Sequence, residues 1–356
     1  MYFDLNVPIH FPQPVSTANK KNKGKQPYVP VDVVYSPGQI AAIETRVDVL
    51  VHLGYTVIAF NQTVASSVHP QTHANTLEPL LAKLKPRQGI VFLKRLTIVL
   101  DQESEKSMGL TLVNAHIFKP YDLIALMPTS QNTFSLACLT HTVASPVTAH
   151  IIAVPLTLRM DFRMRHTLVR GALKNGVVFE ISYVGALGGE HDAIMVEAGA
   201  ADKGVPAKRN WWTNGKEIIR ITKGKGILVS GGVVAEADLR APKDAANLIT
   251  LLGVAQDVAQ AASTKVPKAL VLRAQTRQTY RAVLSDPILV VPSQEIDVDP
   301  PSLPPRDAAE NKKRTRDSDD VGDGSLPIPG KNDIDGSLQK KKKRKKDKKA
   351  SSLAVT

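Results

Sequence analysis

The 356-residue sequence predicts an α/β fold of parallel strands joined by crossover helices, followed by a tail with no core of its own. Three observations predict it. Short apolar runs at the amino terminus and at 56–60, 96–100, 122–127, 150–154, 177–182 and 227–230 alternate with helix-like segments, and parallel strands need such helices to carry the chain back. A hydrophobic content of 43% is enough for a sizeable core. From Asp286 onward the chain turns to proline, aspartate, serine and lysine, a composition that cannot bury enough apolar surface to offset its ordering entropy. One domain over 1–285 and a tail over 286–356 result. Seven strands with crossover helices fit a closed barrel or an open doubly wound sheet, and the rhythm alone does not choose.

In chain order, Tyr2-Phe3-Asp4-Leu5-Asn6-Val7-Pro8 is the first strand. The insertion at 12–30, with Lys20, Lys21, Lys23 and Lys25, is a basic loop for which solvation and RNA contact are equally good readings. Ser36-Pro37-Gly38-Gln39 starts a helix: serine as N-cap, proline at the first helical position, glutamine to close a capping box. Ile40, Ile43, Val47 and Leu50 recur at helical spacing, and Gly54 supplies a left-handed residue at the end. Further helices are expected near 77–84, 104–115, 132–144, 159–174 and 211–221. After the last strand come 242–252, 255–262 and 267–284, the last rich in Arg273, Arg277 and Arg281.

Composition narrows the function. The single cysteine, Cys138, excludes an internal disulfide framework, favours a reducing compartment, and lies in an apolar helical segment where an inert thiol is expected. Neither a signal peptide nor an apolar run of membrane-spanning length is present, so a soluble intracellular protein without membrane partners is expected. The formal charge is +13; the tail carries 15 basic and 13 acidic residues, which leaves 31 against 20, a net of +11, on residues 1–285. A basic body suits a protein that sits on phosphate, and ordinary solubility is the competing reading.

Most single motifs have bland readings that win. His69 and His73 have a metal-pair spacing, but Pro70 interrupts the helix it would need, and a loop with two exposed histidines is expected. Gly185-Ala186-Leu187-Gly188-Gly189 matches neither the dinucleotide fingerprint nor the P-loop and reads as a flexible rim loop. Glu180 lacks a catalytic partner and reads as a satisfied structural carboxylate. The basic residues carry more. On a helix over 159–174, Arg159, Arg163, His166, Arg170 and Lys174 form one stripe opposite Met164, Leu168 and Ala172, suited to following a phosphate backbone; a helix starting at Arg163 keeps four of the five. Lys208, Arg209, Lys223 and Lys225 surround Trp211 and Trp212, for which core packing of both rings competes with one ring left to a partner. Arg273 and Arg277 extend the RNA-binding set. Lys340, Lys341, Lys342, Lys343, Arg344, Lys345 and Lys346 begin a block with nine basic residues in ten positions, matching a nuclear-import signal and able as well to hold nucleic acid nonspecifically, with a purely solubilising tail as the competing reading; a nuclear, nucleolar protein is expected.

The opening strand resembles that of the polymerase-and-histidinol-phosphatase (PHP) metal hydrolases, which runs into Asp-Leu-His-x-His, with Asn6 and Pro8 where the histidines belong. After Gly54-Tyr55-Thr56-Val57-Ile58-Ala59-Phe60 the family's Asp-His reads Gln62-Thr63, and its late Ser-Asp-Ala-His reads Ser230-Gly231-Gly232-Val233. An amide, a proline ring, a glycine and a valine cannot replace imidazole and carboxylate ligands. With Lys94-Arg95-Leu96-Thr97-Ile98, Tyr121-Asp122-Leu123-Ile124-Ala125, 176–183, 224–232 and Asp244-Ala245-Ala246-Asn247-Leu248, the chain resembles, over roughly 1–284, the PHP-like thirty-kilodalton protein subunit of ribonuclease P and ribonuclease MRP. The resemblance implies an irregular TIM-like barrel that holds no metal or cofactor and pairs with a smaller RNA-binding protein subunit. It would stabilise the catalytic RNA subunit for processing precursor tRNA, met only indirectly, and precursor ribosomal RNA. A metal-dependent PHP phosphoesterase is the alternative, separated by metal content; a free-standing nuclear RNA-binding protein is another, separated by copurification.

Overall fold

The computed structural model describes residues 1–9, 33–105 and 108–278. The insertion 12–30, the end of the expected 267–284 helix with Arg281, the tail 286–356 and its basic block lie outside the described residues. In chain order the elements are β1 (Phe3–Pro8), α1 (Pro37–His52), β2 (Val57–Ala65), α2 (Leu77–Lys83), β3 (Val91–Leu100), α3 (Ala115–Phe118), β4 (Leu123–Pro128), α4 (Gln131–Leu139), β5 (Ile151–Ala153) and α5 (His166–Lys174). They continue with β6 (Val178–Ser182), α6 (Val184–Leu187), α7 (Ala193–Glu197), α8 (Val205–Thr222), β7 (Ile227–Ser230), α9 (Pro242–Thr250), α10 (Gln256–Ser263) and α11 (Lys265–Gln278).

All six strand pairings are parallel and follow chain order from β1 to β7. A doubly wound sheet would reverse its strand order at a switch point, so this order selects the barrel. The seam between β7 and β1 is drawn together by the Gly232 N–H donating to the Asn6 carbonyl at 2.9 Å and the Gly231 N–H donating to Asp4 Oδ1 at 3.0 Å. Gly231 must be glycine for this, because a Cβ there would stand 2.6 Å from Asp4 Oδ2.

Each strand buries both faces, which is why it reads as an apolar run. Outward residues such as Ile58, Phe60, Ile98, Leu126, Phe179 and Val229 pack against the helices. Inward residues from the strand beginnings, among them Phe3, Val57, Leu93, Leu123, Ile151 and Leu228, meet Leu270 and Ala274 of α11, which plugs that end of the barrel. At the other end Val99, Met127 and Ala153 meet the half-buried Met195 of α7 and Ala200 just after it.

The helix α1 carries the expected capping box, with Ser36 N–H donating to Gln39 Oε1 at 2.9 Å and Gln39 N–H to Ser36 Oγ at 3.3 Å, and Gly54 has φ +100°. Four expectations need correction. First, β3 starts five residues before the apolar run at 96, because Arg95 points into the barrel and interrupts the run without ending the strand. Second, the helix expected at 104–115 is two 3₁₀ turns, Glu103–Glu105 and Leu112–Asn114, leading into α3; Gly109, at φ +81°, lies where a Cβ would collide with the Val68 carbonyl. Third, α4 stops at Leu139 rather than 144, and α8 starts at Val205, ahead of 211, with Pro206 in its first turn. Fourth, α5 starts at His166, not Arg159. Asp161, Arg163 and Arg165 are exposed while Phe162 and Met164 are buried, a two-residue alternation that belongs to extended chain.

Candidate nucleic-acid interface

The barrel end that carries the six positions expected, by resemblance, to replace PHP metal ligands is built from amides and main chain. Asn6, Pro8, Gln62 and Thr63 end β1 and lie along β2, next to Gly231 and Val233 just beyond β7, so the structure brings the six positions onto three neighbouring strands. Several of their polar groups are bonded within the protein. Asn61 Nδ2 donates to Asn6 Oδ1 at 2.9 Å, Gln62 Nε2 donates to the Ala74 carbonyl at 2.8 Å, and Gln62 Oε1 accepts from Thr76 N–H and Tyr121 O–H. The Pro8 carbonyl accepts from Arg46 Nη1 at 3.0 Å. Among the described residues no group of three or more His, Cys, Asp or Glu is arranged to hold a metal ion. The residues present do not fit the divalent metal that PHP enzymes use.

Deeper in the barrel, Arg95 and Glu180 form a fully buried, two-pronged ion pair, with Nη1–Oε1 and Nη2–Oε2 both at 2.6 Å. Arg95 also donates to the Leu5 carbonyl at 2.8 Å and to Thr97 Oγ1 at 3.1 Å; Thr97 donates to Asn61 Oδ1, and Ser230 donates to Glu180 Oε1 at 2.6 Å. One network therefore ties β1, β2, β3, β6 and β7 together. Glu180 is the structural carboxylate expected. Its partner Arg95 was missed, although a cation inside an otherwise apolar strand is the signal that marks it.

The β7–β1 seam holds a second buried acid. Burial raises the Asp4 pKa to about 6; the N–H groups of Gly231 and Asn6 and the charge of Arg46 pull it down, and Glu180 pushes it up. With a folded pKa above the unfolded value of 3.8, the proton on Asp4 stabilises the fold fully below about pH 3.8, and that contribution is lost as pH rises through 6. Asp4→Asn keeps an oxygen for both N–H groups and removes the charge. Its stability relative to the parent chain should rise by about 2.5 kcal/mol between pH 4 and pH 8, most of the shift of about two units at about 1.4 kcal/mol per unit. Urea titrations across that range check it, and a pH-independent difference would refute it.

The remaining motifs resolve as follows. His69 is exposed and bonded to Ser67, whereas His73 is half-buried against Tyr121 at 2.9 Å, so the two histidines are not both free; burial lowers the His73 pKa. Cys138 is buried and its thiol is pushed up to about 12, as expected of an inert thiol. The glycine-rich segment is not a loose loop. It forms the one-turn α6, with Gly185 so close under Trp211 that a Cβ would stand 2.6 Å from Cδ1. Trp211 is fully buried and donates to the Ser182 carbonyl at 2.7 Å, and Trp212 stacks edge-on against it at 5.0 Å, half-buried.

The basic residues divide into two groups. His166, Arg170 and Lys174 of α5, Lys223 and Lys225 between α8 and β7, and Arg273 of α11 line one cleft of about 600 Å³. Arg159, Arg163, Lys208 and Arg209 are exposed but do not line it, which corrects the single five-residue stripe. Arg163 is near enough to Glu217 to help lower that carboxyl's pKa, behind the larger effect of Arg220. Lys208 lays its stem over Gly188, and Arg273 donates to the Gly176 carbonyl. Arg277 lies in α11, with its side chain outside the described residues. Among the described residues no carboxylate forms an ion pair with any of the six basic side chains of the cleft.

The family model described as RNase P subunit p30 matches residues 1–279. The chain is 27% identical over 241 residues to a probable ribonuclease P protein subunit 3 of Schizosaccharomyces pombe, covering 67% of this chain and 89% of that one. It is 26% identical over 255 residues to ribonuclease P protein subunit p30 of Mus musculus, covering 69% and 85%. To the ribonuclease P/MRP protein subunit RPP1 of Saccharomyces cerevisiae it is 24% identical over 210 residues, covering 58% and 63%. A chain in a cryo-EM structure of archaeal ribonuclease P with mature tRNA shares the fold, with a TM-score of 0.50 at 12% identity over 71% of this chain and 96% of that one.

Proposed function

The chain belongs to the RNase P subunit p30 family, and from that membership we propose that it serves ribonuclease P, and ribonuclease MRP, as a protein subunit that binds folded RNA without cutting it. The observation that carries the RNA-binding part is the cleft where five Lys and Arg cations from three parts of the fold converge beside His166 with no carboxylate paired to them. Cations so placed neutralise phosphates and let RNA segments pack closely, giving affinity without base readout. The filled barrel end supports a non-catalytic role, because its amides and main-chain groups are already bonded to one another. In this reading the RNA subunit performs the cleavage, a smaller RNA-binding protein subunit pairs with this chain, and precursor tRNA is met through the RNA.

Purifying the tagged full chain from its own cells tests the reading. It should bring down one or two defined RNAs and a constant set of proteins. A heterogeneous RNA population would favour a free-standing RNA-binding protein, and phosphoester cleavage by the RNA-free chain with a tightly held metal would favour a phosphoesterase.

Nuclear and nucleolar residence is part of the proposal and rests on the basic block at 340–349. Deleting 339–349 should abolish nuclear accumulation of a fluorescent fusion while leaving the melting temperature unchanged, since the segment offers no apolar side chain to a core. Unaltered nuclear signal after deletion would count against it.

A further inference from the structure

Positive charge alone would suit a flat phosphate track, yet the charged surface here surrounds a cavity with an aliphatic floor. Leu173, Val177, Ile221, Val266, Ala269 and Leu270 form its aliphatic lining, with Val177, Ile221 and Leu270 buried and Ala269 exposed. Its volume of about 600 Å³ lies within the roughly 300–1,000 Å³ of small-ligand pockets, more room than a phosphate needs. Lys174, in the last turn of α5, and Lys223, just past α8, stand where helix dipoles favour cations, so those two have a local explanation. Arg170 and His166 lie further back than that effect reaches. His166, Arg170 and Lys174 recur every fourth residue, about 6 Å apart along the axis, comparable to the step between successive phosphates of an RNA strand.

We propose that this cleft takes one everted nucleotide of structured RNA: base and ribose enter the aliphatic floor, and the phosphates on either side meet the two cationic walls. The proposal rests on the RNA-binding reading above and deepens it. Thr222 supplies the one hydroxyl of the lining, and it is already donated to the Ile218 carbonyl at 2.8 Å. The pocket can therefore distinguish an unpaired nucleotide from a stacked one without reading which base it is.

The test measures binding of the full chain to a labelled RNA hairpin with one bulged adenosine, the same hairpin without the bulge, and one with an abasic bulge. The bulged form should bind about tenfold more tightly than the unbulged one, a difference of about 1.4 kcal/mol. The abasic form should lose that preference. Ala269→Phe, which enlarges an exposed side chain of the aliphatic lining and removes no charge, should bring the ratio towards one, with Ala269→Leu as a smaller filling if the first variant melts early. Salt-dependent binding with a ratio near one in the parent chain would overturn the nucleotide pocket and leave the RNA interface standing. Absence of salt-dependent RNA binding would overturn both. A poly-glutamate peptide that competes as well as the bulged hairpin, charge for charge, would assign the cleft to an acidic protein segment and overturn the proposal.

Discussion

Replacing Glu180 by alanine is expected to lower the unfolding free energy by about 3–5 kcal/mol, the cost of leaving a buried guanidinium without its counter-charge. Arg95 is fully buried and commits two nitrogens to the carboxylate at 2.6 Å each; Ser230 loses its acceptor as well. The Leu5 carbonyl and Thr97 still accept from Arg95, but neither neutralises it. The double change Arg95→Met with Glu180→Leu removes both charges at similar volume, and should recover most of the loss, because well-packed apolar residues often match or exceed a buried ion pair. Denaturant titration of the three proteins decides the matter. A Glu180→Ala loss under about 1 kcal/mol, or a double variant no better than the single, would contradict the assignment of this pair as the barrel's central tie.

The barrel was legible because its strands are buried on both faces and its crossovers need helices, so apolar runs and helical spacing alternate where the elements lie. Legibility failed where a residue's job is tertiary. Lys94 and Arg95 hid the start of β3, since nothing local announces that a charge points inward toward Glu180 from another strand. The stretch before α5 carried helix-compatible charges, while its buried Phe162 and Met164 obeyed a two-residue period. The closure of β7 on β1 depends on Asp4 reaching the Gly231 N–H, a pair separated by nearly the whole domain. The expectation that Asn6, Pro8, Gln62, Thr63, Gly231 and Val233 stand in place of metal ligands rests on resemblance alone. The cleft was out of reach: its cations come from α5, the α8–β7 connection and α11, and only folding sets them around one cavity.

Changing Arg170, Lys174 and Lys223 together to glutamine should make RNA binding markedly less salt-sensitive. The three side chains come from both walls of the cleft and leave its aliphatic floor intact. Arg163 stays in place because Glu217 already draws on its charge. All three positions are exposed and none pairs with a carboxylate among the described residues, so stability should fall only by the helix-end contributions of Lys174 and Lys223, about 0.3–1 kcal/mol each. If each contacts one phosphate, the log–log slope of affinity against salt should become shallower by about two to three units, at about 0.7–0.9 per contact. The loss should extend to unrelated structured RNAs, since phosphate contacts carry no sequence information. Arg159→Gln with Arg163→Gln, outside the cleft, should move the slope far less. A triple variant of native stability with unchanged slope would remove the cleft from the RNA interface, and a larger effect from the Arg159 and Arg163 pair would relocate that interface to the chain ahead of α5.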